Sequence, residues 1–316
     1  MNEKIKIFSV VGPTASGKSA LALALAERYG GEIISCDSMQ VYRRMDIGTA
    51  KPTAAEQAGV KHHMIDVVEP TESFSCADYV SLAEAAIRDV HSRGKIPIVC
   101  GGTGLYLDAL IRGGDFAPDI TDDALRAQLL AFAEENGAQA LHDELARVDP
   151  ESAVAIHPNN VKRVARAIEI YKLSGQTKTE LDRRSLLAEP RFDARVLGLS
   201  YSDREVLYDR IDARVDVMMR EGLEAETRAL YGEGVFEKNT TAAQAIGYKE
   251  LLGYIEGRET LENAVSSLKM ATRRYAKRQV TWFSGKPYVT NVDVCGDNCK
   301  KTFEEIVNIA SELFFN

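Results

Sequence analysis

Residues Gly12-Pro13-Thr14-Ala15-Ser16-Gly17-Lys18-Ser19 fit the spacing G-x-x-x-x-G-K-[ST]. The glycines let backbone N–H groups curl around phosphate oxygens, Lys18 adds a point charge, and the Ser19 hydroxyl can hold Mg²⁺. Two other groups have the right type for chemistry beside a phosphate. Asp37 heads Asp37-Ser38-Met39-Gln40-Val41-Tyr42. Its carboxylate could complete a Mg²⁺ shell or act as general base on a substrate over the loop. The plainer reading is an Asp that caps a strand end. Thr103 lies in Gly101-Gly102-Thr103-Gly104, where glycines allow close backbone approach. Its hydroxyl could serve a phosphate or a leaving oxygen, although such a stretch can also be only a turn.

These groups need a scaffold, and the flanking pattern supplies one. Residues 5–11 read as a buried strand before the loop, and 20–28 as a helix after it, ended by Gly30-Gly31. Further strands are expected at 32–36, 62–68 and 95–100, with a helix over 77–93 stopped by Gly94. Alternation of this kind predicts an α/β fold: a P-loop NTPase-like parallel sheet covered by helices, with ligands at the carboxyl ends of the strands. The P-loop, Asp37 and Thr103 all fall at such ends. From about Gly113 to Ser185 the pattern turns helical, over 122–135, 139–147 and 160–173. This reads as an inserted helical subdomain. A strand at 195–200 returns to the sheet. Ser202-x-x-Glu205 then reads as a capping box for a helix reaching Glu221 and closed by Gly222. On it Leu207, Ile211, Val215 and Met218 form an apolar stripe expected in the core, with Arg210 and Arg214 on another face. Helices are expected to fill most of the remainder. The division is 1–112 for the first part of the core, 113–190 for the insertion and 191–316 for the rest of the core.

The 316 residues are 45% hydrophobic and 27% charged, the composition of an ordinary soluble protein. No run approaches the ~18 apolar residues of a membrane span. A strand almost at once leaves no signal peptide, and scattered cysteines at 36, 76, 100, 295 and 299 suit a reducing cytoplasm. Cys295-x-x-x-Cys299 has no second pair and no nearby His, so it reads as a surface loop. The histidines lack metal-ligand spacing. Guanine-reading N-K-x-D is absent, and 33–37 fits a Walker B segment only loosely. The net charge of −8 argues against a nucleic-acid partner, with two local exceptions. The segment from Lys269 to Lys286 is rich in Lys and Arg, has no Asp or Glu, and interleaves Tyr275, Trp282 and Phe283. Lys162, Arg163 and Arg166 share one side of a helix. Both patterns suit RNA contact, and both could be merely solvated faces.

The motifs taken together resemble the bacterial tRNA dimethylallyltransferases (tRNA isopentenyltransferases). They are the P-loop, Asp37-Ser-Met-Gln-Val-Tyr42, Asp46-Ile-Gly-Thr-Ala-Lys-Pro52, Gly101-Gly-Thr-Gly-Leu-Tyr106, His157-Pro-Asn-Asn160, Arg166-Ala-Ile-Glu169, Ala245-Ile-Gly-Tyr-Lys-Glu250 and Ala276-Lys-Arg-Gln-Val-Thr-Trp282. Lys162 departs from the pattern, which has Gln there. The resemblance implies transfer of a dimethylallyl group from dimethylallyl diphosphate to N6 of the adenosine just 3′ of the anticodon, in tRNAs that read codons beginning with U. It implies catalytic roles for Asp37, Thr103 and Arg214, and a diphosphate site at Gly12 to Ser19 with Mg²⁺ on Ser19. It implies tRNA contacts at Asp37, Ser38, Met39, Gln40, Thr103, Arg126, Lys162, Arg163, Val164, Ala165, Arg166, Lys277, Arg278, Gln279 and Trp282. The expected partners are the tRNA anticodon stem-loop and dimethylallyl diphosphate, with the enzyme a cytoplasmic monomer. Two other readings compete: a small-molecule P-loop kinase, and a non-catalytic RNA-binding protein that keeps a P-loop.

Overall fold

The computed structural model describes residues 4–112, 121–237, 241–295 and 301–315. Cys299, and with it the Cys295–Cys299 pair, lies outside them. In chain order the first elements are β1 (Lys6–Val11), α1 (Lys18–Tyr29), β2 (Gly31–Ser35), α2 (Ala54–Gly59), β3 (His62–His63), α3 (Cys76–Ser92), β4 (Ile96–Gly101) and α4 (Gly104–Ile111). Then come α5 (Asp123–Asn136), α6 (Ala138–Val148), α7 (Pro150–Ala155), α8 (Val161–Ser174) and α9 (Lys178–Leu187). The chain continues through β5 (Asp193–Ser200), α10 (Arg204–Glu221), α11 (Leu223–Gly232), α12 (Leu252–Ile255), α13 (Leu261–Ser284), β6 (Val289–Asp293) and α14 (Phe303–Phe315). Two compact units result. One is Met1–Leu110 with Phe192–Asn316, and the other is Ile111–Arg191.

The first unit holds a six-stranded sheet in the order β3-β2-β4-β1-β5-β6, with every pairing parallel. Parallel strands must be covered on both faces, which explains their near-continuous apolar runs. Phe8, Val10, Ile33, Ile98, Leu197 and Leu199 pack with Leu21 and Leu25 of α1 and with Val307 and Phe314 of α14. The register sets the site. Val11 pairs with Gly101, and Ser35 with Cys100. Gly12, Asp37 and Thr103 therefore leave the sheet from the same edge. The approach there is close: a Cβ on Gly101 would lie 2.0 Å from the Cys36 carbonyl oxygen, so only glycine fits. The Cys36 N–H donates to Cys100 at 2.7 Å, and the Thr103 N–H to Cys36 at 3.1 Å.

The second unit has its own core, in which Leu129, Leu141, Leu145, Val164, Ala165 and Ile168 are buried together. No helix among the described residues is long and apolar enough to cross a membrane.

Four local expectations need correction. The strand expected at 62–68 shrinks to His62–His63, because Met64 and Asp66 take left-handed conformations. The chain then folds back, and the Val67 and Val68 N–H groups donate to the Val41 carbonyl. The capping box at Ser202 does not form. Asp203 caps α10 through the Glu205 N–H, and the Ser202 hydroxyl donates to the Cys295 carbonyl instead. β6 is an added edge strand in a stretch expected to be helical. α4 starts inside the Gly-rich turn, so that stretch is a helix entry as well as a turn.

Glu32 on β2 is buried and accepts from Arg93 at 2.5 and 2.6 Å, Lys95 at 2.8 Å and His63 at 2.8 Å. Arg93 is the chief cause that holds its carboxyl far below the usual range, against the opposing effect of burial. A depressed folded-state value means stability that is fully present above the ordinary carboxylate range and lost progressively as pH falls from there to the much lower folded-state value. Glu32→Gln is expected to cost about 3 kcal/mol at neutral pH, since it breaks a buried ion pair. The Tm difference between the two proteins should narrow progressively from about pH 6 down to about pH 3, because the wild type begins to lose this contribution below its ordinary pKa of about 4.3. Parallel curves would assign the stabilisation elsewhere.

Candidate active site

A cavity of about 520 Å³ opens at the strand ends of the first unit. Thr14, Lys18, Ser19, Asp37 and Arg214 line it together. The P-loop is held from outside. Gly12 must be glycine, with φ +152° and a would-be Cβ 2.9 Å from the Leu199 carbonyl oxygen. Ala15 sits at φ +62°, a left-handed conformation uncommon for a residue with a side chain. Arg210 Nε fixes it by donating to the Ala15 carbonyl at 2.9 Å, and the Tyr201 hydroxyl donates to the Ser16 carbonyl at 3.2 Å. Gly17 caps α1 with no side-chain hydrogen bond, so the first helical N–H groups remain open to an anion. The Ser16 hydroxyl is buried and finds no hydrogen-bond partner among the described residues.

Arg210 and Arg214 are now separated by geometry. Arg210 supports the loop backbone, whereas Arg214 reaches the cavity. Leu207, Ile211 and Val215 are buried and hold α10 in place. Ile211, Val215 and Met218 also form apolar wall of the cavity, so the stripe is not only core. Burial pulls Arg214 below its ordinary pKa, opposed by Asp37. Burial likewise lowers Lys18, Arg214 lowers it further, and Cys100 and Asp37 oppose this. Two desolvated cations lining one cavity, with one carboxylate near both, favour a bound polyanion.

The Asp37 carboxylate accepts the Met39 N–H at 2.9 Å, a turn that aims its residue into the cavity. Thr103 does not line the cavity. Its Oγ1 accepts the Ser38 N–H at 3.0 Å and lies 3.4 Å from the Ser38 hydroxyl. It holds the Asp37 turn and also bonds Tyr275, which lines the cavity. Tyr275, on α13, lines the cavity beside Asp37. Burial first, and then the Asp37 charge, push its phenol up to about 12, while a hydrogen bond to Thr103 opposes them. The Arg278 guanidinium lies 5.5 Å from the Tyr275 ring centre.

For Mg²⁺, the donor set is the Ser19 hydroxyl with the Asp37 carboxylate nearby. No cluster of three or more His, Cys, Asp or Glu suited to a metal occurs among the described residues. This fits an ion that keeps waters and leans on substrate phosphates rather than a protein cage.

The expected RNA-facing residues divide. On α13, Arg274, Lys277 and Arg278 are exposed, and Trp282 is 37% exposed. Lys269 and Arg273 instead pair with Asp216 and Asp212 of α10, and Lys286 pairs with Asp108. Gly104 makes room for Trp282, since a Cβ there would be 2.3 Å from the indole. Gln279 is a correction: it is buried and bonds two backbone loops. Gln40 is another. Its Nε2 donates to the Thr49 and Ala50 carbonyls, and its Oε1 accepts from Ser35. In the second unit Lys162 and Arg163 are exposed, but Val164 and Ala165 are fully buried, so their side chains cannot touch RNA. Arg126 and Arg166 both bond Glu169, which is itself buried. Burial resists ionisation of that carboxyl; the Asp122 N–H and the two arginines outweigh it and set its pKa below the usual range.

One anchor had no signal in the sequence. Glu226 on α11 accepts the N–H groups of Asp46, Ile47 and Gly48 at 2.9–3.1 Å and the Tyr248 hydroxyl at 2.6 Å. A Cβ on Gly48 would meet the Tyr248 ring at 2.5 Å. Glu226 thus fixes the loop whose residues Gly48 to Pro52 wall the cavity.

The pattern of the family described as IPP transferase matches residues 40–286. A tRNA dimethylallyltransferase of Halalkalibacterium halodurans is 49% identical over 311 residues, 98% of each chain. One of Geobacillus thermodenitrificans is 50% identical over 286 residues, covering 90% of this chain and 88% of that one. The crystal structure of the full-length tRNA isopentenylpyrophosphate transferase from Bacillus halodurans matches with a TM-score of 0.71 and 46% identity, over 98% of this chain and 97% of that one. A eukaryotic dimethylallyltransferase captured acting on tRNA matches with a TM-score of 0.78 and 33% identity, over 92% of this chain and 74% of that one.

The paired cations give a direct expectation. Inorganic diphosphate at about 100 times its Kd should stabilise the protein by about 2.7 kcal/mol, read as a rise in Tm. Lys18→Met and Arg214→Gln should each remove most of that rise. An equal rise in all three proteins would place the anion elsewhere.

Proposed function

This chain belongs to the IPP transferase family, the tRNA dimethylallyltransferases, and from that we propose how its residues move a dimethylallyl group from dimethylallyl diphosphate to N6 of an adenosine in tRNA. Family membership over nearly the whole chain favours this prenyl transfer over a small-molecule kinase and over a non-catalytic RNA-binding protein. The acceptor is the adenosine just 3′ of the anticodon in tRNAs that read codons beginning with U. The observation that carries the reading is one cavity holding both a diphosphate cradle, made by Lys18 and Arg214, and a carboxylate at Asp37.

The exocyclic N6 of adenine is a poor nucleophile, because its lone pair is delocalised into the ring. Asp37 accepts a hydrogen bond from that amino group, orients it and takes its proton as the N6–C bond forms. The C–O bond of the donor breaks, and its electron pair leaves with the diphosphate. Lys18, Arg214 and the open N–H groups at the start of α1 stabilise the charge that develops there. Ser19 would hold Mg²⁺ together with diphosphate oxygens, and the ion would add positive charge against the leaving group. Thr103 and Ser38 keep the Asp37 turn in place, and Ile211, Val215 and Met218 offer apolar wall for the prenyl group. The adenosine must leave its stack to enter, a base-flipping step. Arg274, Lys277, Arg278 and Trp282 on α13 take the RNA backbone and bases beside the cavity mouth. Lys162 and Arg163 of the helical unit add cations for the stem-loop, with Arg126 and Arg166 set by Glu169. The working unit is a monomer that acts in the cytoplasm, where tRNA is found.

The test is incubation with unmodified tRNA, dimethylallyl diphosphate and Mg²⁺, followed by mass analysis of the tRNA nucleosides. N6-dimethylallyladenosine is the expected product. Asp37→Asn can still accept the Met39 N–H and so keep the turn, but it cannot take a proton. It should lower kcat by about 10²–10⁴-fold with tRNA affinity retained. Unchanged turnover would remove Asp37 from the mechanism.

A further inference from the structure

Gln279 lies on α13 between the exposed Lys277 and Arg278 on one side and Trp282 on the other, yet it is only 4% exposed. Its Oε1 accepts the Thr14 N–H at 2.9 Å, and its Nε2 donates to the Gly102 carbonyl at 3.0 Å. A single carboxamide thus joins three segments. They are the P-loop after β1, the Gly-rich turn after β4, and the helix that faces RNA. Both loops are brought to it by the parallel register. Gly102 is shaped to this contact, because a Cβ there would come within 2.1 Å of the Gln279 nitrogen. The Thr14 N–H is a P-loop amide. It is committed to Gln279, which leaves the diphosphate to the later amides, Lys18 and Arg214.

Arg274 and Lys277 of the same helix are exposed, and the exposed Arg278 also lines the cavity with Gln279. Lys269 and Arg273 fasten that helix to α10, which carries Arg214 and Arg210. A shift of α13 is therefore felt at both ends of the diphosphate site: directly through Gln279, and through α10. We propose that Gln279 is a positioning residue that couples tRNA held on α13 to the geometry of the diphosphate cradle. This rests on the transferase reading above. The coupling is reciprocal by thermodynamic necessity, so tRNA tightens diphosphate binding and diphosphate tightens tRNA binding by the same factor.

Two substitutions break the joint from opposite sides. Gln279→Ala removes the carboxamide. Gly102→Ala keeps it but pushes its nitrogen away, and the far end of a flexible side chain can move without unfolding the protein. The experiment measures the Kd of inorganic diphosphate with and without saturating unmodified tRNA, on the full chain, together with Tm. Wild type is expected to show a coupling of about 5–150-fold. In each variant the factor should fall toward one, with tRNA affinity in the absence of diphosphate held within about threefold, and the double variant should be no worse than either single one. Intact coupling in a folded Gln279→Ala or Gly102→Ala protein overturns the proposal. So does a lower Tm with both affinities weakened and the coupling factor unchanged, the mark of a merely structural role. If Gln279→Ala does not fold, Gly102→Ala decides. The outcome is separable from the transferase reading itself, since a wild type that makes no dimethylallyladenosine fails that reading whatever its coupling.

Discussion

Lys18 and Arg214 are drawn out of water into one cavity, where burial lowers the pKa of both, Arg214 lowers Lys18 further, and Asp37 opposes both shifts. Such a pair is costly without an anion, and most of the surrounding structure exists to hold it. α1 begins at an uncapped glycine so that its N–H groups add to the same field. Arg210 and Tyr201 brace the backbone of the loop, which keeps a left-handed Ala15 in place. α10 delivers Arg214 because its buried stripe fixes the helix rotation. A single carboxylate facing two cations and an apolar wall suits the release of a diphosphate from a carbon atom.

Close packing at this edge rests on absent side chains. Gly101 lets the turn after β2 touch the turn after β4, Gly102 admits Gln279, Gly104 admits Trp282, and Gly48 admits Tyr248. Each glycine marks a place where another segment crosses the backbone. The helix α13 crosses twice, with Gln279 and Trp282, leaves Arg274 and Lys277 exposed and lines the cavity with Arg278. One element thereby belongs to the diphosphate site and to the RNA-facing surface.

Much of this was legible in the sequence because it is local. The P-loop, the carboxylate after β2 and the helical insertion are carried by spacing over a few residues to a few turns. The rest was not legible, for physical reasons. Glu226 is some 180 residues from the loop it anchors, Arg210 is 195 from Ala15, and Gln279 is 265 from Thr14. No period connects such partners. The Asp37–Gln40 stretch reads as a row of RNA contacts, and no local pattern shows that the Gln40 side chain at the cavity wall is also tied to Ser35, Thr49 and Ala50. Val164 and Ala165 stand among basic neighbours in the motif, but at helical spacing they face the core of their unit. The apolar run at 62–68 resembled a strand until two left-handed residues bent it away.

The account turns on a carbon–oxygen bond being broken over a loop more often associated with phosphorus–oxygen cleavage. Dimethylallyl diphosphate labelled with oxygen-18 at its bridging oxygen tests this most directly. During turnover with unmodified tRNA, the account predicts that all of the label leaves in the diphosphate while the tRNA gains an unlabelled dimethylallyl group. Label that stays with the five-carbon fragment, or phosphate transferred to the tRNA, would contradict it.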